Sequence, residues 1–247
     1  MINRISESKL NNSGSKMTII NYKSSMDITV QFENGHITHT SYSEFKKGSV
    51  KNIFEKTFLF KGYIGEGVFK SSVKGRITKE YIIWRGMLMR CYNSKYHLTH
   101  PSYIGCTVCE EWLNFQNYAE WHKSNYYEIP GEKTSLDKDI LVKGNKMYSP
   151  ETCLFVPQSI NSLFINTKKV RGDYPIGVRK RKDAYSAKGF YKKEQTHLGT
   201  FYKVEDAYNA FKIFKEITIK KIAEEYKDKI PQKLYEALYK YEVEITD

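Results

Sequence analysis

Apolar and polar residues alternate in three runs near the start of the chain, 17–22 (MTIINY), 27–32 (DITVQF) and 36–42 (HITHTSY). Alternation at every second position gives one apolar and one polar face, and so predicts half-buried strands. Ser24, Ser25 and Met26 supply one turn and Asn34-Gly35 the other. Asn-Gly suits a two-residue hairpin because both residues tolerate positive φ. Tyr42, Phe45 and Gly48 close this small β module, 17–57, while the polar, aperiodic residues 1–16 read as a disordered lead-in. The period then changes. Residues 79–92 are expected to bury Ile82 or Ile83, Met87 and Cys91 around Trp84 and Leu88, and 110–124 place Trp112, Phe115, Ala119 and His122 at helical spacing. Such an aromatic stripe reads as core before it reads as a base-stacking surface. The glycine-rich GYIGEG, 62–67, could be a phosphate loop, but it lacks the Lys-Ser/Thr signature and reads as a turn-rich connection.

The last third of the chain carries three short basic runs, 177–180, 184–190 and 196–201, separated by turn residues. Val204 then begins a helical pattern with Ala207, Ala210, Phe211 and Phe214 on one face; Pro231 ends it and 232–243 read as one more helix. Arg179, Arg181, Lys188 and Lys192 fall on the strands. The whole chain has a formal net charge of +12 over 247 residues. Residues 168–203 hold eleven Lys and Arg against three Asp and Glu, a surplus of eight, so most of the excess charge sits in one segment. A focused patch points to a polyanion footprint, as a uniformly basic surface does not. No apolar run approaches the roughly 18 residues that span a bilayer, and the start lacks a signal-peptide core. A soluble chain in the cytoplasm with no membrane partner is expected. Four cysteines fit a reducing compartment. Cys106-x-x-Cys109 with Cys91 and Cys153 makes one close pair and two singles, where structural zinc sites show two close pairs, so no zinc is expected.

Two resemblances sharpen this picture. GVRKR at 177–181, AYSA at 184–187, LGTF at 198–201 and EDAYNAF at 205–211 resemble the apetala-type (ethylene-response-factor-like) DNA-binding domain, which also occurs in phage proteins and homing endonucleases. That resemblance implies a three-stranded sheet entering the major groove of double-stranded DNA, with Arg179, Arg181, Tyr185 and Lys188 as contacts, beside the basic Lys192. Tyr185 stands where the family often has tryptophan.

LDKDILVKGNKMYSPETCLFVPQSINSLF, 136–164, resembles the HNH nuclease core, two strands and a helix clasping one divalent metal. Asp137 and Lys138 occupy the family's Asp-His position, and Pro150, Glu151, Thr152 and Cys153 its Pro-Glu-Asn-Leu position. Asn161 follows at the usual spacing. The resemblance implies that Asp137 and Asn161 hold Mg2+ or Mn2+ through oxygen, the donor such ions prefer. The general base of that family is histidine, and this chain has Lys138. An ordinary lysine titrates near 10.4 and is protonated at neutral pH. His122 or His100 are the other histidines that could supply a base.

The expected fold is α+β, with a small N-terminal β module, a ββα module over 58–167 and a linker at 168–173. A three-stranded antiparallel sheet packed on a helix follows over 174–229, and a final helix over 230–247. The expected function is double-stranded DNA binding through the basic sheet beside a degenerate HNH site. The alternatives are an active Mg-dependent nicking homing endonuclease and a non-enzymatic factor binding an acidic host protein.

Overall fold

Strands β1 (Ser8–Leu10), β2 (Lys16–Ser24), β3 (Asp27–Phe32) and β4 (Ile37–Thr40) form an antiparallel sheet in that order, in a computed structural model that describes residues 4–164, 173–192 and 194–245. Alternation does its work here. Met17, Ile19, Ile28, Val30 and Phe32 are buried on one face with Phe45 and Val50. Helix α1 (Tyr42–Lys47) starts where Ser41 Oγ accepts the Glu44 N–H and ends at Gly48, whose φ of 72° is left-handed. Residues 8–10 are thus a strand and not part of a disordered lead-in. β1 is an edge strand with its central residue half-buried and its neighbours exposed, so it leaves no apolar period to read. It is held by backbone bonds, Ser6 N–H to Ile19 O at 2.8 Å and Ile19 N–H to Glu7 O at 2.9 Å.

The same unit, which runs to Ser124 and takes in Lys146–Ser149, continues through a small hairpin, β5 (Ser72–Val73) and β6 (Arg76–Ile77), into α2 (Lys79–Tyr92) and α3 (Ser94–Thr99). β7 (Thr107–Val108) precedes α4 (Glu110–Leu113) and α5 (Phe115–Asn125). The single helix expected over 110–124 is broken at Asn114, which is extended at φ −82°, ψ 119°, and whose Oδ1 accepts the Gln116 N–H at 3.0 Å. Trp84, Trp112, Phe115 and Ala119 are buried, and Trp84 Nε1 donates to Trp112 O at 2.7 Å. The aromatic stripe is core.

The second unit comprises Asn125–Asn145 and the described residues from Pro150 onward. β8 (Thr134–Asp137) and β10 (Leu154–Pro157) belong here, while β9 (Met147–Tyr148), which falls between them in the chain, belongs to the first unit and pairs there with β7. β8 and β10 pair antiparallel, Asp137 opposite Leu154 and Thr134 opposite Pro157. The short helix α6 (Gln158–Asn161) follows at once and runs into a 3-10 turn, Ser162–Phe164. A second sheet, β11 (Val178–Lys180), β12 (Tyr185–Tyr191) and β13 (Glu194–Phe201), is antiparallel in that order. Of the linker expected at 168–173, only Asp173 lies within the described residues.

Both parts of this unit rest on one long helix, α7 (Val204–Tyr226). Its 23 residues span roughly 35 Å at 1.5 Å each. Ala207, near its start, packs under the sheet with Val178 and Ala187. Ile219, Ile222 and Ala223, near its end, join Leu154, Val156 and Ile160 of the ββα segment. The last helix, α8 (Gln232–Tyr239), adds Leu234 and Leu238 to the same core. Each fully buried isoleucine or leucine contributes about 1.5–3 kcal/mol. Elements that the sequence divides among three modules therefore share one spine. Among the described residues no helix is long and apolar enough to cross a membrane.

Candidate nucleic-acid interface

The register of the three-stranded sheet decides which side chains stand on which face. Val178 is opposite Ala187 and Arg179 opposite Ser186; Lys188 is opposite His197 and Phe190 opposite Gln195. Val178 and Ala187 are buried against α7, so alternation puts Tyr185, Gly189, Tyr191 and Phe201 on the helix side. Arg179, Ser186, Lys188, Phe190, Gln195, His197 and Thr200 share the other. A bulge at Leu198 keeps β12 in step while β13 takes one extra residue.

Two glycines make the helix approach possible. A Cβ on Gly177 would lie 1.9 Å from Phe211, and its φ of +75° suits glycine; a Cβ on Gly189 would lie 2.3 Å from Phe214.

The sequence-derived contacts separate. Arg179 is exposed and Lys188 half-buried, both on the open face, and Lys188 Nζ donates to the neutral Gln195 Oε1 at 3.1 Å. Neither has an acidic partner among the described residues. Arg181 is exposed in the turn after β11, with its N–H bonded to Ala184 O at 2.8 Å. Tyr185 belongs to the helix side: it packs against the sheet–helix core, and Lys180 Nζ sits 4.7 Å from its ring centre and 3.3 Å from its hydroxyl. That hydroxyl holds the Lys180 ammonium above its ordinary pKa. Lys192 occupies the β12–β13 turn at φ 47° and is tied back to Glu225 at 2.9 Å, the bond that raises its pKa. The period-2 rule applied to Ala187 would have placed Tyr185 on the inner face. The same rule assigns Ser186 to the open face, a residue that motif matching passes over. It is 2% exposed, and its Oγ has no hydrogen-bond partner among the described residues.

The ββα segment brings its own residues to the end of β8. Asp137 Oδ1 accepts the N–H groups of Asp139 at 2.9 Å and Ile140 at 2.8 Å, capping the loop. Burial, and then the neighbouring Asp139 carboxylate, push the Asp137 carboxyl up to about 6 against the pull of those N–H groups. Lys138 is buried, and its Nζ donates to Asp139 Oδ2 and to Asn145 O, both at 2.9 Å. Asn145 Nδ2 returns a bond to Lys138 O at 2.7 Å. An ammonium that donates to a carboxylate and a carbonyl is a loop clasp, and while it holds its proton it cannot accept another. Sequence reasoning missed Asn145, whose position in Lys-Gly-Asn-Lys carries only a turn signal. Asn161 is half-buried at the end of α6.

As oxygen donors for a divalent ion, these residues offer one carboxylate with an oxygen already taken by two N–H groups, and one amide. Catalytic magnesium sites use one or two carboxylates plus substrate phosphates and waters, so this set lies at the sparse end of that range. What departs from a catalytic site is the base position, where the Lys138 ammonium already donates to Asp139 and Asn145. No three His, Cys, Asp or Glu side chains gather into a metal-holding group among the described residues. The four cysteines form no disulfide, and Cys91, Cys106 and Cys153 are buried.

His100 and His122 both belong to the first unit, Asp137 to the second. His100 stacks on Tyr96 at 4.1 Å, and burial lowers the pKa of His122. No family model, curated protein or solved structure matches the chain.

Proposed function

We propose that the chain binds double-stranded DNA through the open face of the β11–β13 sheet, and that the ββα segment is an HNH-like element which braces α7 and carries no working nuclease site. The observation that supports this reading is the open face itself. Arg179 and Lys188 stand there without acidic partners among the described residues, and the other exposed polar side chains of that face, Gln195, His197 and Thr200, carry no carboxylate. Arginine and lysine reach guanine edges or phosphates in a major groove wide enough for β-strands. Arg181, in the adjoining turn, extends the same positive edge. The Lys138 clasp favours binding without cleavage over the nicking reading.

Fluorescence anisotropy of the whole chain with a labelled duplex tests the reading. Affinity should fall with salt at a log–log slope of about −0.9 per phosphate contact. A duplex affinity that ignores salt, or no binding at low salt, removes the proposal and leaves the protein-binding alternative. Supercoiled plasmid incubated with the protein and Mg2+ or Mn2+ should stay supercoiled. Nicking that disappears in Asp137→Ala would instead establish the nuclease reading.

A further inference from the structure

The second unit contains a groove of about 1280 Å³, beyond the roughly 300–1000 Å³ of a small-molecule pocket. β11 pairs only with Tyr185 to Ala187, so β12 runs on past it and gives the groove one wall. α7 gives the second. Ser159, Ser162 and Leu163, around the end of α6, give the third. Among the described residues six cationic side chains line it: Arg179, Lys180, Lys188, Lys192, Lys215 and Lys229. Glu225 is the one carboxylate in the lining among the described residues and is already paired with Lys192, so six of their charges against one leave a positive surplus of five.

The rings of Tyr174, Phe190 and Tyr226 line the same groove. Phe190 is 56% exposed, so its ring face is open to a partner from solution. Tyr226 is fixed in place, its hydroxyl donating to Glu132 Oε2 at 2.7 Å and lying 2.8 Å from Ser159 Oγ.

We infer that this groove binds a single-stranded stretch of nucleic acid a few nucleotides long. Cations spaced along a channel track a phosphate chain, and interleaved rings take up bases by stacking, a combination that is tolerant of sequence. A duplex keeps its bases stacked on one another and has none to offer Phe190 or Tyr226. An acidic peptide would meet the lysines but gain nothing from the rings. Arg179 and Lys188 belong both to the groove and to the open face of the sheet, so a strand leaving a duplex held on that face would pass directly into the groove. The groove nevertheless stands on its own lining and does not require the sheet reading.

The test is anisotropy of the whole chain with a labelled oligo-dT of eight nucleotides, beside a labelled duplex. Wild type should bind the oligo-dT at low salt. Lys215→Gln with Lys229→Gln should weaken it at least tenfold and make its salt slope shallower by about 1.4, at roughly 0.7 for each phosphate no longer neutralised, with duplex affinity changed less than threefold. Phe190→Ala should weaken oligo-dT at least fivefold, since stacking is worth about 1–3 kcal/mol per base. Unchanged melting of these variants excludes misfolding as the cause. The inference is overturned if wild type binds duplex but not oligo-dT, or if the lysine variant binds oligo-dT as wild type does. It is overturned too if the lysines matter and Phe190 does not, which would mark a simple polyanion site. Oligo-dT binding without duplex binding would remove the sheet reading and leave this one standing.

Discussion

The N-terminal sheet and the β11–β13 sheet are built on the same plan and differ in what they leave uncovered. Each is antiparallel and buries one face, β1–β4 over Phe45 and Val50 and β11–β13 over Ala207 of α7. On the polar face of the first, hydroxyls and a histidine bond to one another: Ser8 and Thr18 at 2.8 Å, Thr29 and His39 at 3.4 Å. Its lysines are compensated, Lys16 lying 3.7 Å from Glu33 and Lys23 3.6 Å from Asp27. On the second, Arg179 and Lys188 have no carboxylate beside them among the described residues. The difference teaches that a three- or four-stranded sheet is not by itself a nucleic-acid surface. In the reading proposed above, it is the cations left without compensation that set the second sheet apart.

The largest effect should come from inverting that charge. Arg179→Glu with Lys188→Glu is expected to lower duplex affinity by about a thousandfold or more, since each cation that reads a base is worth about 1–3 kcal/mol and the new carboxylates repel the phosphates. Thr18→Glu with Gln31→Glu, the matching change on the N-terminal sheet, should alter it less than threefold. Comparable losses from both pairs would mean that only net charge matters.

A smaller effect concerns what holds the basic sheet on its helix. Gly177→Val combines a left-handed φ, worth about 1–3 kcal/mol, with a side chain driven into Phe211, worth about 1–3 kcal/mol more. Urea unfolding should lose several kcal/mol in the second unit while the N-terminal sheet melts unchanged. A variant as stable as wild type would show that the close sheet–helix approach is mistaken.

The smallest effect is one of pH. Because the folded Asp137 carboxyl titrates near 6 and its ordinary value is 3.8, the unfolded chain gives up this proton first as pH rises. Its stabilising contribution is therefore complete below about 3.8 and is lost as pH rises through 6. Asp137→Asn keeps an acceptor for the two loop N–H groups and should remove that decline, gaining about 1–2 kcal/mol at pH 7. A variant less stable than wild type at pH 7, with the same slope between pH 4 and 6, would contradict the assignment.

Much of this architecture is legible in the chain, and the failures have specific causes. Alternation finds β2 and β3, and helical spacing finds α2 and the start of α7, because each buries one face against a continuous core. It misses β1, an edge strand that buries almost nothing. It also carries 110–124 through Asn114 as one helix, because the apolar spacing continues across a break made by a side chain bonding to the backbone. The larger miss is α7. Periodicity shows that Ala207, Phe211, Ile219, Ile222 and Ala223 form a face. It does not show that the face meets a sheet at one end and the ββα core at the other, because those partners come from distant parts of the chain. The candidate interface is legible in its charge and less so in its geometry. Arg179 and Lys188 stand on the open face, whereas Tyr185 and Lys192 turn toward the helix, where alternation and a turn position send them.

Lysine acetylation footprinting of the whole chain, with and without duplex DNA, tests the central claim most directly. Both sheets carry lysines and are read in one experiment. The account predicts strong protection of Lys188, and of Lys182, which is exposed beside Arg181 in the turn between β11 and β12, when duplex is added, with Lys9, Lys16 and Lys23 labelled as in the free protein. Protection of the N-terminal lysines with Lys182 and Lys188 unchanged would contradict it.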